Sequence, residues 1–209
     1  MDRAKRLMDL LLAGALLVVL APVMLVIAIV VRATSPGPAL FRQDRVGYRK
    51  QPFPMLKFRS MQDKCDDTLH REYVTNMLAG GEAADEGGVY KLVDDPRITR
   101  VGHLLRRTSL DELPQLINVV RGEMSLVGPR PILAWEADLL GPAYDDRFDV
   151  KPGITGLWQV EGRNRLTMQE AVQLDLEYVK RRSTFLDLRI LLMTIPTALA
   201  TAFTGKDAR

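Results

Sequence analysis

From Leu10 to Val31 the chain runs 22 residues, "LLLAGALLVVLAPVMLVIAIVV", without a charge. That length reads as membrane-embedded, and no other feature restricts the fold as strongly. It does not read as a secretory leader. The run exceeds the roughly 7–15 residues of a leader's apolar core, and no small-x-small cleavage site precedes Arg32. Pro22 lies near its middle, where it deletes an i→i−4 hydrogen bond and bends a helix. Cations flank it on both sides: Arg3, Lys5 and Arg6 before, then Arg32, Arg42, Arg45, Arg49 and Lys50 after. Since Lys and Arg favour the cytoplasmic side, both ends qualify for it. A helix that enters, bends at Ala21-Pro22 and returns to the same face satisfies both observations. One tilted spanning helix that tolerates its proline is the alternative, and the pattern alone leaves the two open.

The other end, "FLDLRILLMTIPTALATAF", is apolar too, but its uncharged part stops at Gly205-Lys206, short of the roughly 20 residues needed to span. With Asp187 and Arg189 at its start it reads as an interfacial helix, or else as a core helix. Between the ends, short elements alternate with Gly and Pro punctuation, and "LAGGEAADEGGVY" (78–90) is a loop by composition. We therefore expect an α+β, mainly helical chain in three parts. These are an N-terminal membrane helix (1–35), a compact catalytic domain with short strands (36–185) and a C-terminal interfacial helix (186–209).

Composition narrows the chemistry. One cysteine, Cys65, excludes an intramolecular disulfide framework, and only two histidines, His70 and His103, are present. A zinc centre and a Ser/His/Asp or Cys/His hydrolase are thereby disfavoured, leaving carboxylates, Lys and Arg. The balance of 29 cations against 26 anions suits an anionic partner without naming one. Nucleic acid is not the expected partner, because the cations are scattered among carboxylates and aromatic residues make up only 6%.

The stretch "RRTSLDELPQLINVV" concentrates what remains. Leu113, Leu116, Ile117 and Val120 recur at helical spacing, with Gly122 as a stop. We expect Asp111 as N-cap, which puts Pro114 at N3, where its missing N–H costs nothing. Asp111 and Glu112 then stand at the positive end of a helix. An aspartate there caps more often than it catalyses, but the cationic neighbourhood favours chemistry. "KFRSM" supplies Lys57 and Arg59, "LLRR" supplies Arg106 and Arg107, and "VGPRP" supplies Arg130 on a backbone stiffened by Pro129 and Pro131. Carboxylates able to hold Mg²⁺, ringed by Arg and Lys, are the usual equipment for phosphoryl transfer. In "VKPGITGLWQVEGRN", Gly153 and Gly156 allow close backbone approach to a nucleotide or sugar, though much of the motif reads as a turn followed by a strand. Lys151, Arg163 and Arg165 have no assigned role. "LTMQEAVQLDLEYVKRR" opens with a Thr167-x-x-Glu170 capping box, and its Asp175 is either solvated or a supporting partner for a site cation.

Taken in order, "KRLMDL", "KFRSM", "LRRTSLDELPQL", "GEMSLVGPRP" and "KPGITGLWQVEGRN" resemble the bacterial sugar transferases. These are the monotopic polyprenyl-phosphate phosphoglycosyl transferases that begin exopolysaccharide, O-antigen and glycoconjugate assembly. The resemblance covers essentially the whole chain and is similar to the minimal catalytic form, without extra N-terminal membrane helices. It implies transfer of a sugar-1-phosphate from a UDP-sugar to undecaprenyl or another polyprenyl phosphate, with release of UMP. It further implies Asp111 as the nucleophile that forms a phosphosugar-aspartyl intermediate. Glu112 would position Mg²⁺ or handle the acceptor's proton. Lys57, Arg59, Arg106, Arg107 and Arg130 are the expected phosphate-binding cations, with Gly128, Pro129, Pro131, Gly153 and Gly156 forming a loop that is either nucleotide-sugar-binding or structural. The resemblance also implies a re-entrant helix bent at Ala21-Pro22, where many members carry Ser-Pro, and a place on the cytoplasmic face of a bacterial inner membrane. A homodimer is consistent with it. The competing expectations are direct displacement without a covalent enzyme, and a non-enzymatic membrane scaffold.

Overall fold

The computed structural model describes residues 3–62, 68–78, 95–162 and 166–204. Cys65, Arg163, Arg165 and most of the 78–90 loop lie outside them.

Helix α1 (Arg3–Thr34) contains the whole apolar run and stays helical through Pro22. It is the one described helix long and apolar enough to cross a membrane. Most of its large side chains are exposed, Val18 and Val19 at 76% and 70%. Both ends nevertheless pack on the rest of the chain. Asp9 and Ala13 are fully buried near the start, Ile27 and Val31 near the finish. A spacing of four residues puts each pair on one helix face.

Strands β1 (Leu40–Val46) and β2 (Pro52–Phe58) form an antiparallel hairpin, with Phe41 opposite Lys57 and Arg45 opposite Phe53. A single 3₁₀ turn, Tyr48–Lys50, closes it, with Arg49 and Lys50 both at positive φ. After α2 (Thr68–Leu78), α3 (Arg100–Arg107) starts at Thr99, whose hydroxyl caps the Gly102 N–H. Gly102 admits no side chain, since a Cβ would lie 1.9 Å from the Ser60 carbonyl oxygen.

Helix α4 (Gln115–Arg121) ends on Gly122 at φ +85°, the left-handed stop that glycine best supplies. Its start differs from the expectation. Ser109 adopts φ +56°, turning Leu110–Glu112 into a separate 3₁₀ turn, and Pro114 itself takes the N-cap place of α4. Asp111 is therefore not an N-cap.

Two three-residue strands, β3 (Ser125–Val127) and β4 (Gly153–Thr155), pair in parallel. Between them lie α5 (Ala134–Leu140) and a 3₁₀ segment, Pro142–Asp149. The strand expected in "VKPGITGLWQVEGRN" is short and gives way to α6 (Leu157–Glu161). Helix α7 (Met168–Arg181) carries the capping box: Thr167 caps Glu170 N–H, and the Glu170 carboxylate accepts from Thr167 N–H at 2.7 Å.

Helix α8 (Thr184–Thr204) buries Asp187 and Ile190 and leaves Phe185, Leu188, Leu192 and Ile195 exposed. One face belongs to the core and the other is apolar and uncovered. The main core joins Phe53 and Met55 of β2, Leu116 and Val119 of α4, Leu126 and Val127 of β3, Leu157, Tyr178 and Ile190, with Ala13 of α1. A second cluster sets Ile27 and Val31 against Phe58 and Leu105. The chain is thus mainly helical with short strands.

Candidate functional site

Asp111 is buried and Glu112 half-buried on the 3₁₀ turn between α3 and α4. Asn118, fully buried one helix later, fixes that turn against the hairpin. Its side-chain oxygen accepts the Leu56 N–H at 3.0 Å, and its amide donates to the Pro54 carbonyl at 2.9 Å and to Glu123 at 2.6 Å. The next residue of β2 is Lys57, whose ammonium donates to Glu112 Oε1 at 3.1 Å.

From the other side, Arg130 Nη2 donates to the same Glu112 oxygen at 3.2 Å. A carboxylate oxygen shared by two cations in a half-buried setting is held far more firmly than a surface ion pair. Burial pushes the Lys57 ammonium below its ordinary pKa; the Glu112 charge opposes the shift, and Arg130 and Arg45 reinforce it. Arg106 is lowered chiefly by burial as well, and the Asp111 and Asp95 carboxylates pull it back up. Lys57, Arg106 and Arg130 therefore converge on the Asp-Glu pair.

Two other expected phosphate ligands are placed elsewhere. Arg59 is 4% exposed and turns Nη2 to the Val31 carbonyl and to the Ser35 carbonyl and hydroxyl, the latter two at 2.8 Å. It closes the end of α1, where carbonyls lack helical partners. Arg107 is exposed on α3.

The Gly128-Pro129-Arg130-Pro131 turn is held by backbone on both sides. Gly153 N–H donates to the Pro129 carbonyl at 2.9 Å, Gly128 N–H to Thr155 at 3.0 Å, and Val46 N–H to Ile132 at 2.8 Å. A Cβ on Gly153 would stand 2.1 Å from Gly128 N, and one on Gly156 would stand 2.5 Å from Gly128 O. These glycines meet one another's backbone, so the close approach that the sequence suggested is internal to the turn.

Arg147 Nη2 donates to the Arg130 carbonyl at 3.0 Å and to Asp175 Oδ2 at 2.7 Å, with both side chains almost fully buried. Asp175 is thus a supporting partner and not a solvated residue. Lys151 lies near Arg6 and Gly122 at the far end of α4, its pKa lowered by burial and by Arg6.

Sequence reasoning treated Arg45 only as a flanking charge. It shares the hairpin face of Lys57, through the alternation Phe41, Gln43, Arg45 opposite Lys57, Met55, Phe53. Its guanidinium is held by Gln43 at 2.8 Å and Glu136 at 3.4 Å. The period-2 spacing was the available signal, but it needed the pairing register to be read.

For a metal ion, the donor set is two adjacent carboxylates with no third Asp, Glu, His or Cys grouped beside them among the described residues. That set does not suit zinc. It fits Mg²⁺, which keeps several waters and takes substrate phosphate oxygens alongside one or two carboxylates.

Comparison with known proteins adds four findings. The bacterial sugar transferase family profile matches residues 1–201. The chain is 42% identical over 193 residues to the exopolysaccharide production protein ExoY of Rhizobium meliloti, covering 92% of this chain and 84% of that one. It is 45% identical over 195 residues to the UDP-galactose-lipid carrier transferase of Erwinia amylovora, covering 93% of this chain but 40% of the longer relative. It is also 39% identical over 208 residues to a UDP-glucose:undecaprenyl-phosphate glucose-1-phosphate transferase of Caulobacter vibrioides, covering 96% of this chain and 71% of that one.

Proposed function

The chain belongs to the bacterial sugar transferase family, a family of sugar-1-phosphate transferases, and from that premise we propose that it moves a hexose-1-phosphate from a UDP-sugar to a polyprenyl phosphate. Undecaprenyl phosphate is the acceptor named for the Caulobacter relative. The step would begin exopolysaccharide or related glycan assembly at the cytoplasmic face of a bacterial inner membrane.

The observation that carries this reading is the convergence of Lys57 and Arg130 on Glu112 beside the buried Asp111. In the proposed mechanism an Asp111 carboxylate oxygen attacks the donor's β-phosphorus. The bond from that phosphorus to the bridging oxygen breaks, and UMP departs with the electron pair. A phosphate oxygen of the polyprenyl acceptor then attacks the same phosphorus, forming the lipid diphosphate sugar and returning Asp111 as a carboxylate. Lys57, Arg106 and Arg130 offset the charge that two phosphate-bearing substrates bring together. Asp111 and Glu112 would hold Mg²⁺, which supplies Lewis-acid charge neutralisation when bound. The relay suits substrates this different, since one is soluble and the other lies in lipid, and each visits in turn.

Helices α1 and α8 support a membrane placement. Lys5, Arg6 and Asp9 at the start of α1 bond to Asp187, Val119 and Leu126, while at its end Val31 accepts from Arg59. Both ends of the apolar helix are thus tied to one folded unit, which supports a helix that enters and leaves by the same face. The uncovered apolar sides of α1 and α8 would sit in lipid, keeping Asp111 near headgroup depth.

The test is UMP release over a panel of UDP-sugars with undecaprenyl phosphate and Mg²⁺. Asp111→Asn should abolish it, and intact-mass analysis with donor alone should show a sugar-phosphate adduct on Asp111. Turnover without that adduct would establish direct displacement. Unchanged function in Asp111→Asn would leave only a scaffold.

A further inference from the structure

Arg130 sits between two prolines, so its turn has lost a backbone donor at either side and depends on outside anchors. Pro131 also confines residue 130 to extended backbone. The orientation of the peptide that follows Arg130 is then set by what binds the Arg130 carbonyl. That group is Arg147, 17 positions along the chain, reaching from the Pro142–Asp149 segment, and behind it stands Asp175 on α7. The contacts form one unbroken chain. Asp175 Oδ2 accepts from Arg147 Nη2, which also donates to the Arg130 carbonyl; Arg130 Nη2 donates to Glu112 Oε1, which Lys57 meets from the far side.

As a stabilising device this pair is poorly made. Arg147 and Asp175 are 1% and 2% exposed, and a buried ion pair recovers its desolvation loss only when the remaining polar atoms are also bonded. Here Arg147 Nη1 and Asp175 Oδ1 are both buried without a hydrogen-bond partner among the described residues. Apolar side chains of similar volume would hold α7 against the Pro142–Asp149 segment at least as well. What they could not supply is a donor fixed at one particular carbonyl.

We propose that Arg147 and Asp175 are positioning residues for the transfer step, holding the Arg130 backbone so that its guanidinium stays against Glu112 where the donor's phosphates are met. The kinetic part of this inference rests on the transferase reading above. Neither residue touches substrate; both act through Arg130. Their loss should therefore fall on turnover and spare ground-state binding.

The test is the double substitution Arg147→Met with Asp175→Leu, which removes both charges together and keeps the packing. Its unfolding temperature should stay within about 5 °C of wild type, because paired apolar replacement of a buried ion pair is commonly neutral or better. The kcat for UMP release should fall about 100-fold, the scale of a small misplacement of a catalytic group, while KM for the UDP-sugar moves by less than about threefold. A folded double variant with wild-type kcat would overturn the proposal. Arg147→Lys covers the case in which the double variant does not fold. Its single, shorter ammonium keeps the pair with Asp175 but gives up the carbonyl, and the same fall in kcat is expected. A structure of either variant gives a readout independent of activity: Arg130 should leave Glu112, and an intact 3.2 Å contact would refute the positioning role. If wild type releases no UMP with any donor, the transferase reading has failed, and this structural readout decides the positioning role alone.

Discussion

Lys5 and Asp187 are 182 positions apart in sequence and 2.7 Å apart in space. The same ammonium donates to the Val127 carbonyl at 3.1 Å, and Asp187 Oδ1 accepts from the Tyr178 hydroxyl at 2.7 Å. The first turn of α1, the start of α8, α7 and the strand leading into the Arg130 turn therefore meet at one buried point. Burial, with the neighbouring Asp187 charge, pushes the Tyr178 phenol up, so it stays a neutral donor.

Lys5→Ala leaves Asp187 buried with one of its two partners gone. Stability should drop by about 3 kcal/mol, the scale for breaking a buried pair from one side. Tyr178→Phe removes the hydroxyl that reaches Asp187 Oδ1 and the Val127 carbonyl, and should lose about 2 kcal/mol, the scale of a hydrogen bond to a charged group. Thermal unfolding of both variants in nanodiscs checks the order; an unshifted Lys5→Ala would show that the pair is dispensable.

Arg106 and Arg107 are adjacent and alike in charge, yet Arg106 is half-buried within electrostatic reach of Asp111 and Glu112 while Arg107 is exposed. Arg106→Ala should lower kcat by roughly 100-fold, as loss of a transition-state charge partner does. Arg107→Ala, at an exposed site, should stay within about twofold. Equal losses in steady-state UMP release would mean that side-chain direction on α3 has been misread.

Asp175 gives a pH prediction. Burial raises its carboxyl from 3.8 to about 6, against the opposing pull of Arg147, and the unbonded Oδ1 explains why desolvation wins. Below pH 3.8 both folded and unfolded chains hold the proton. Between about 4 and 6 the unfolded chain releases it first, so wild-type stability falls as pH rises, by roughly 3 kcal/mol across the window. Asp175→Asn cannot titrate there. Its unfolding temperature minus that of wild type should rise from pH 4 to 6 and level off above 7. A flat difference across that range would contradict the raised carboxyl.

Local signals were legible in the sequence. Thr167 and Glu170 cap each other across three residues, Gly122 stops α4, and the charge-free run from Leu10 gives one helix, because each depends on neighbours along the chain. Of the expected cations, Lys57, Arg106 and Arg130 do converge on Asp111 and Glu112. The misreadings arise where tertiary contact decides. Asp111 loses its capping place to Pro114 once Ser109 turns left-handed, a conformation that its propensity does not favour. Arg59 is diverted by Val31 and Ser35, which approach only once α1 has packed. Gly153 and Gly156 left a ligand loop and a structural turn both open, and only the approach of Gly128 accounts for the glycines. Arg45 needed the register of β1 against β2.

The course of α1 can be decided by labelling. As a straight helix, its 32 residues would extend about 48 Å, more than the roughly 30 Å of a hydrocarbon core, so length alone permits a crossing. Its contacts argue otherwise. Arg6 donates to the Val119 and Val120 carbonyls near one end, and Val31 accepts from Arg59 near the other. A crossing would place those anchors on opposite sides of the bilayer and draw the folded unit that bears both into lipid. Its exposed charges, Arg107 among them, would then face lipid at a cost, which supports the proposed same-face course of α1. Arg3 and Arg32 are exposed at the two ends and suit replacement, one at a time, by cysteine in a Cys65→Ser background. A membrane-impermeant maleimide should modify both positions in inverted inner-membrane vesicles and neither in intact spheroplasts. Modification of one position in vesicles and the other in spheroplasts would establish a spanning helix, and the shared-face reading of α1 would have to be abandoned.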